Sequence, residues 1–110
     1  MSEDTAVYSR AAIAQRLKHM RRVLGLSQTE ISRRIGVSQQ IWNNCETGDN
    51  IISLPNATRI FESFGINLHY IYYGQDNADL PASFKEARRN FDREHANEEP
   101  PKPRRKRPRK

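Results

Sequence analysis

The chain has 110 residues, 35% of them apolar and 29% charged, and 19 Lys and Arg against 13 Asp and Glu give a net charge of +6. This length allows one small domain, and no apolar run approaches the roughly 20 residues that a membrane-spanning helix needs. One cysteine cannot form an internal disulfide, and the three histidines lie too far apart for a metal-ligand spacing. Since no signal peptide opens the chain, we expect a soluble cytoplasmic protein without metal or cofactor.

Apolar residues occur at the usual density as far as Tyr73 and become sparse after it. We therefore predict a flexible N-terminus over residues 1–8 and a globular domain over residues 9–74. Residues 100–110, PPKPRRKRPRK, contain four prolines and seven cations. Such a composition cannot bury apolar surface, which predicts a disordered basic tail that attracts nucleic acid without reading its sequence.

Residues 75–99 separate this domain from the tail and allow two interpretations. Phe84, Ala87 and Phe91 recur at helical spacing among charged residues, which is typical of a short amphipathic helix. A helix of this length is marginal by itself. The favoured interpretation is therefore a solvated linker, with a marginal helix as the alternative.

Capping signals divide residues 9–74 into five short helices. Ser27 and Ser38 are natural N-caps, and each helix ends before a glycine that can adopt a left-handed conformation. The starts are Ser9, Ser27, Ser38, Pro55 or its neighbour, and Asn67, and the ends precede Gly25, Gly36, Gly48, Gly65 and Gly74. Because no alternating strand pattern occurs, we predict a compact all-α domain.

The second and third helices are joined only by Gly36 and Val37. So short a connection forces the two helices to turn sharply against each other. Two short helices with such a turn have the geometry of a helix-turn-helix, in which the second helix enters the major groove of DNA.

The third helix, Gln39–Thr47, carries four amide side chains on one side when successive residues are stepped by about 100°. They are Gln39, Gln40, Asn43 and Asn44. The apolar residues Ile41, Trp42 and Cys45 fall on the opposite side, and we expect Cys45 to be a buried small hydrophobe. Amides both donate and accept hydrogen bonds and can pair with adenine N6 and N7. A merely solvated surface would instead carry Glu, Lys and Arg, so the pattern favours a base-reading helix.

Residues 28–48, QTEISRRIGVSQQIWNNCETG, resemble the helix-turn-helix of phage repressor and Cro-type transcriptional regulators. The resemblance extends over residues 13–74 and includes LHYIYYG at its end. It implies a five-helix, lambda-repressor-like DNA-binding domain from a phage or bacterium.

The resemblance also implies roles for individual residues. Gln28 would bond a DNA phosphate and brace Gln39, while Gln39 and Gln40 would reach base edges. Asn43 and Asn44 would contact bases or phosphates further along the groove. The capping Ser38 and two cations of the second helix, Arg33 and Arg34, complete the predicted DNA-binding set. For the two arginines, ordinary solvation is an equal alternative.

Two further features follow from the same family. A buried ion pair would join Arg21 of the first helix to Glu46 of the third, and a homodimer would form through Leu68, Tyr70 and Tyr73. One departure from the family is Trp42, which occupies a position where a branched aliphatic residue is usual. Its indole N–H needs a hydrogen-bond partner.

The leading hypothesis is a sequence-specific transcriptional regulator, expected to be a repressor, that binds double-stranded DNA at a palindromic operator as a homodimer. The helix Gln39–Thr47 would lie in the major groove. The alternative is an antitoxin-like module in which residues 75–99 bind a protein partner and the helix-turn-helix only autoregulates. An enzyme is the weakest class, because no catalytic triad, carboxylate pair or phosphate-binding glycine loop can be assembled from the sequence.

Overall fold

The computed structural model describes residues 9–75 and 80–96. These residues form six α-helices and no strand, which confirms the all-α prediction for this part of the chain. The helices are α1 (Arg10–Leu24), α2 (Gln28–Ile35), α3 (Gln39–Thr47), α4 (Leu54–Phe64), α5 (Leu68–Tyr73) and α6 (Ala82–Glu94). The predicted flexible N-terminus, residues 1–8, and the predicted basic tail, residues 100–110, lie outside the described residues.

The first five helices begin where the sequence places capping residues. In each, a side-chain oxygen accepts a hydrogen bond from the backbone N–H three residues further on, and this bond satisfies a donor that the helix itself cannot. The capping residues are Ser9, Ser27, Ser38, Ser53 and Asn67. The helix starts are therefore encoded by local sequence.

The core lies between α1 and the other helices. α1 packs against α3, α5 and α6, and α2 packs against α3 and α4. The largest fully buried side chains come from almost every element, so one continuous core joins the six helices: Leu17, Met20, Ile31, Trp42, Ile60, Ile66 and Ile71. Because α1 contacts three helices, it is the scaffold on which the helix pair α2 and α3 is mounted.

The prediction of five helices needs a correction, because α6 follows within residues 75–99, where a linker was favoured. Phe84 is buried, and its ring meets that of Tyr70 edge to face with the centroids 5.8 Å apart. Leu80, just before α6, is also buried. The helix is marginal in isolation, but burial of its apolar stripe against α1 and α5 stabilises it, as it does most helices in folded proteins.

Two contacts that involve polar side chains also join α1 to α6. His19 Nε2 lies 2.8 Å from Asp92 Oδ1, and the Arg22 guanidinium lies 5.0 Å from the centroid of the Phe91 ring. Both contacts join the C-terminal half of α1 to the C-terminal half of α6. The C-terminal halves of the two helices are therefore in contact.

Candidate nucleic-acid interface

The turn between α2 and α3 depends on a left-handed glycine. Gly36 has φ +77°, a backbone conformation that residues other than glycine rarely adopt. It lets the backbone N–H of Val37 donate to the carbonyl of Ser32 at 2.9 Å, which closes the end of α2. Ser32 is buried and donates its hydroxyl to the Thr29 carbonyl at 3.0 Å. A small, internally bonded side chain at this position allows α2 and α3 to approach closely.

Behind α3, the carboxylate of Glu46 gathers four N–H donors from three side chains. Arg21 donates through Nε at 2.5 Å and Nη2 at 3.1 Å, Trp42 through its indole Nε1 at 2.5 Å, and Gln28 through Nε2 at 3.0 Å. The Glu46 side chain is 3% exposed and that of Arg21 15%. The structure thus brings the predicted Arg21 and Glu46 together, and Glu46 is also the partner that the Trp42 indole requires. We call these four residues the Glu46 cluster.

The Glu46 cluster also ties α3 to the start of α2. The remaining guanidinium nitrogen of Arg21, Nη1, donates to the carbonyl of Leu26 at 2.9 Å, in the loop that leads into α2. Hydrogen bonds to charged groups are stronger than those between neutral groups, and low exposure strengthens them further. One buried ion pair therefore sets the positions of α1, α2 and α3 together.

In front of α3, the four predicted amides occupy the outer surface. Gln39 and Gln40 are exposed, Asn43 and Asn44 are half-buried, and Gln28 joins all but Asn44 in lining a shallow open depression. Apart from the buried Glu46, α3 carries no charged side chain. We call this set of four α3 residues the amide face.

The opposite side of α3 is less apolar than its sequence predicts. Trp42 and Cys45 are buried in the core, as expected from their positions. Ile41, which was expected beside them, is 48% exposed. At about 200° from Gln39 it lies at the edge of the buried arc, where the neighbouring helices do not reach it.

The brace predicted between Gln28 and Gln39 is replaced by two other contacts. Gln28 Nε2 donates to Asn43 Oδ1 at 3.2 Å, and Gln39 Oε1 instead accepts from the Thr29 hydroxyl at 2.9 Å. Sequence reasoning missed Thr29. The available signal was its position beside Gln28 in the first turn of α2, where a hydroxyl can reach across to the start of α3.

The two predicted phosphate-binding cations differ in their surroundings. Arg33 and Arg34 are both exposed in the last turn of α2. The Arg34 guanidinium lies 5.5 Å from the centroid of the Phe64 ring on α4, so it is held over an aromatic face. Hydrogen bonds from Ser27, and then the nearby arginines, lower the pKa of Glu30 in the α2 capping box. Arg33 is thus the cation with fewer contacts to other helices.

Cys45 has the environment of a structural thiol. It is buried, and this burial, followed by the proximity of Glu46, raises its pKa. A thiol with a raised pKa stays protonated at neutral pH and is a poor nucleophile and metal ligand.

Within residues 9–75 and 80–96, no group of His, Cys, Asp and Glu could hold a metal ion. The same residues include no helix long and apolar enough to span a bilayer.

The three residues predicted at a dimer interface do not share one free surface. Leu68 is half-buried, Tyr73 is 49% exposed, and Tyr70 is buried under Phe84 of α6. The Arg88 guanidinium also lies 5.7 Å from the centroid of the Tyr70 ring. Of the three, Tyr73 offers the largest accessible apolar surface.

Two short helices joined at a left-handed glycine, with the Glu46 cluster behind the second helix and amides in front of it, define a helix-turn-helix domain. The family model described as "Helix-turn-helix domain" matches residues 14–77, which are 64 of the 110 residues. The chain therefore belongs to this family. Membership supports DNA binding and a role in transcription regulation. No curated protein and no solved structure matched the chain.

Proposed function

We propose that the protein is a sequence-specific transcriptional repressor that reads DNA with α3 in the major groove. The observation that carries this proposal is the amide face, because its four side chains can donate and accept hydrogen bonds and no exposed charge interrupts them. The Glu46 cluster supports it from behind, since a reading helix must be held rigidly to discriminate between bases. The role is non-enzymatic and cytoplasmic.

Gln40 is the amide best suited to adenine. Its Nε2 donates to Asn44 Oδ1 at 2.9 Å, which orients the group and leaves its carbonyl oxygen and its second N–H available. These two groups match adenine N6 and N7. Arg33 is assigned to a phosphate, because α2 crosses the DNA backbone in helix-turn-helix docking.

The proposal includes a homodimer on a palindromic operator, with half-sites about 34–36 Å apart, since a single short helix contacts only a few base pairs. We assign the contact to α5, with Leu68 and Tyr73 as its accessible residues. Sedimentation of Tyr73→Ser should show monomers at concentrations where the wild type is dimeric. Phe61→Ser is the matched control, because Phe61 on α4 is equally exposed at 49%. If Phe61→Ser dissociated the dimer and Tyr73→Ser did not, the interface would have to be assigned to α4 instead.

The alternative of an antitoxin-like protein that binds a partner through residues 75–99 is less well supported. Such binding requires the apolar residues of that segment to be available. Phe84 and Leu80 are instead buried against the protein's own helices. The basic tail, residues 100–110, fits the DNA-binding proposal as a sequence-independent contact to phosphates.

Two variants test whether the amide face reads bases. Gln40→Ala should weaken binding to the preferred operator by about 1–3 kcal/mol and relax selectivity at one position per half-site. Arg33→Ala should weaken binding to all operator variants by similar factors, because a phosphate contact carries no sequence information. Affinities for a panel of single-base operator variants separate the two patterns. If Gln40→Ala weakened every variant equally, or none, the amide face would not be the reading surface.

A further inference from the structure

The buried carboxylate of Glu46 is connected to the amide face through a single side chain. Gln28 Nε2 lies 3.0 Å from Glu46 Oε1 and 3.2 Å from Asn43 Oδ1, so both of its N–H groups are engaged. The two contacts run in sequence from Glu46, which is 3% exposed, to Asn43 at the lining of the open depression. The side-chain amide of Gln28 thus links the buried carboxylate to the amide face.

The direction of these hydrogen bonds follows from the chemistry of the carboxylate. Glu46, paired with Arg21, can only accept hydrogen bonds, so Gln28 must turn its NH₂ group and not its carbonyl toward it. The second N–H on the same nitrogen then points to Asn43, which must present its oxygen. Reversing the Asn43 amide would set two NH₂ groups against each other. Its orientation is therefore determined by the charge of Glu46.

An Asn43 held in this way presents a donor to its surroundings. The oxygen and nitrogen of a side-chain amide lie on opposite sides of the group, so with Oδ1 turned to Gln28 the Nδ2 is turned away. Among the described residues, no acceptor takes a hydrogen bond from this nitrogen. Gln40 differs, because it retains an available carbonyl oxygen as well as an N–H. The residues of the amide face are thus not equivalent.

We infer that Glu46, acting through Gln28, makes Asn43 a reader of guanine. The inference rests on the proposed function. In the major groove guanine offers two acceptors, O6 and N7, and thymine offers one, O4, whereas adenine pairs a donor with an acceptor and cytosine offers a donor. A bidentate contact to adenine would need the Asn43 oxygen as well as its nitrogen, and the hydrogen bond from Gln28 turns that oxygen toward α2. Gln28 is accordingly a positioning residue, and its NH₂ is not available to the phosphate that the family resemblance assigns to it.

The test compares base preferences of variants selected against random DNA. The position read by Asn43 is the one whose preference disappears in Asn43→Ala, and in the wild type we expect guanine there over adenine by about 5- to 150-fold. Gln28→Met keeps the length of the side chain and its helix propensity but removes the amide. It should reduce the preference for guanine over adenine at that position to below about threefold. The preference for adenine at the position assigned to Gln40 should not change.

Thr29→Val is the matched control, because it removes the neighbouring hydrogen bond to Gln39 and leaves the contacts of Gln28 intact. It should retain the guanine preference. Asn43→Asp provides a second measurement that does not depend on substituting Gln28, and its carboxylate should shift the preference from guanine toward cytosine N4. In the wild type, 7-deazaguanine, which lacks N7, should weaken binding at this position and should have no effect on Asn43→Ala. Thermal unfolding verifies that each variant is folded.

The outcomes separate this inference from the proposed function. If the protein selects a sequence but the base that depends on Asn43 is adenine, the inference is wrong and the regulator proposal stands. If Gln28→Met retains the guanine preference, the inference is also wrong and the regulator proposal still stands. If the wild type selects no sequence at all, the proposed function fails and the inference fails with it.

Discussion

Two contacts with carboxylates leave α1 two residues apart and reach different helices. Arg21 binds Glu46 of α3 through two nitrogens, with side-chain exposures of 15% and 3%. His19 meets Asp92 of α6 through one nitrogen, with exposures of 35% and 56%. The first contact lies beneath α3 and the second lies on the surface. A basic side chain of α1 meets a carboxylate in both regions, but the two contacts differ in burial.

The difference shows what holds each helix on α1. Around α3, the carboxylate of Glu46 is satisfied by Arg21, Trp42 and Gln28, so loss of one partner leaves a buried charge without its compensation. Around α6, the buried Phe84 provides the main contact, and the exposed contact between His19 and Asp92 adds little. Polar contacts orient α3, whereas apolar burial docks the C-terminal helix.

The largest effect is expected on the α3 side. Arg21→Ala should lower the free energy of unfolding by about 3–5 kcal/mol, because the Glu46 carboxylate then remains buried without a counter-charge. Chemical denaturation measures the loss. Arg22→Ala, at the next position, is the control and should cost no more than about 1 kcal/mol, since its exposed guanidinium only lies over Phe91. Equal losses in the two variants would remove the contrast between the regions.

On the α6 side the apolar contact should give the larger effect. Phe84→Ala is expected to cost about 3 kcal/mol, because the truncation removes a buried ring that contacts Tyr70. Hydrogen exchange of α6 amides should rise with it. Phe61→Ala, which truncates an exposed ring of the same type, should change stability by less than about 0.5 kcal/mol. A stable Phe84→Ala variant would indicate that polar contacts hold α6.

The smallest effect is expected for the surface pair. Asp92→Asn should cost less than about 1 kcal/mol, because both side chains are solvated and the attraction is screened. Any loss measured at low ionic strength with His19 protonated should diminish in high salt. If Asp92→Asn lowered the free energy of unfolding as much as Arg21→Ala does, independently of salt, the two contacts would be equally important for stability.

Sequence alone determined the features that depend on residues close together in the chain. The predicted N-caps Ser27 and Ser38 join side chains to backbone three residues away, and the turn at Gly36 needs only a left-handed glycine between two short helices. The amide face also followed from spacing, since a helix of known period places its residues without reference to neighbours. The family resemblance supplied Arg21 and Glu46 as a pair.

Only the tertiary structure decided the contacts between helices. It replaced a Gln28 brace of Gln39 with hydrogen bonds from Gln28 to Asn43 and from Thr29 to Gln39, because small rotations between α2 and α3 change which amides meet. It also stabilised α6, whose helical pattern was visible but whose partner, the ring of Tyr70, was not. Local hydrogen bonds are set by the sequence of one turn, whereas the partners of a surface depend on how whole helices cross.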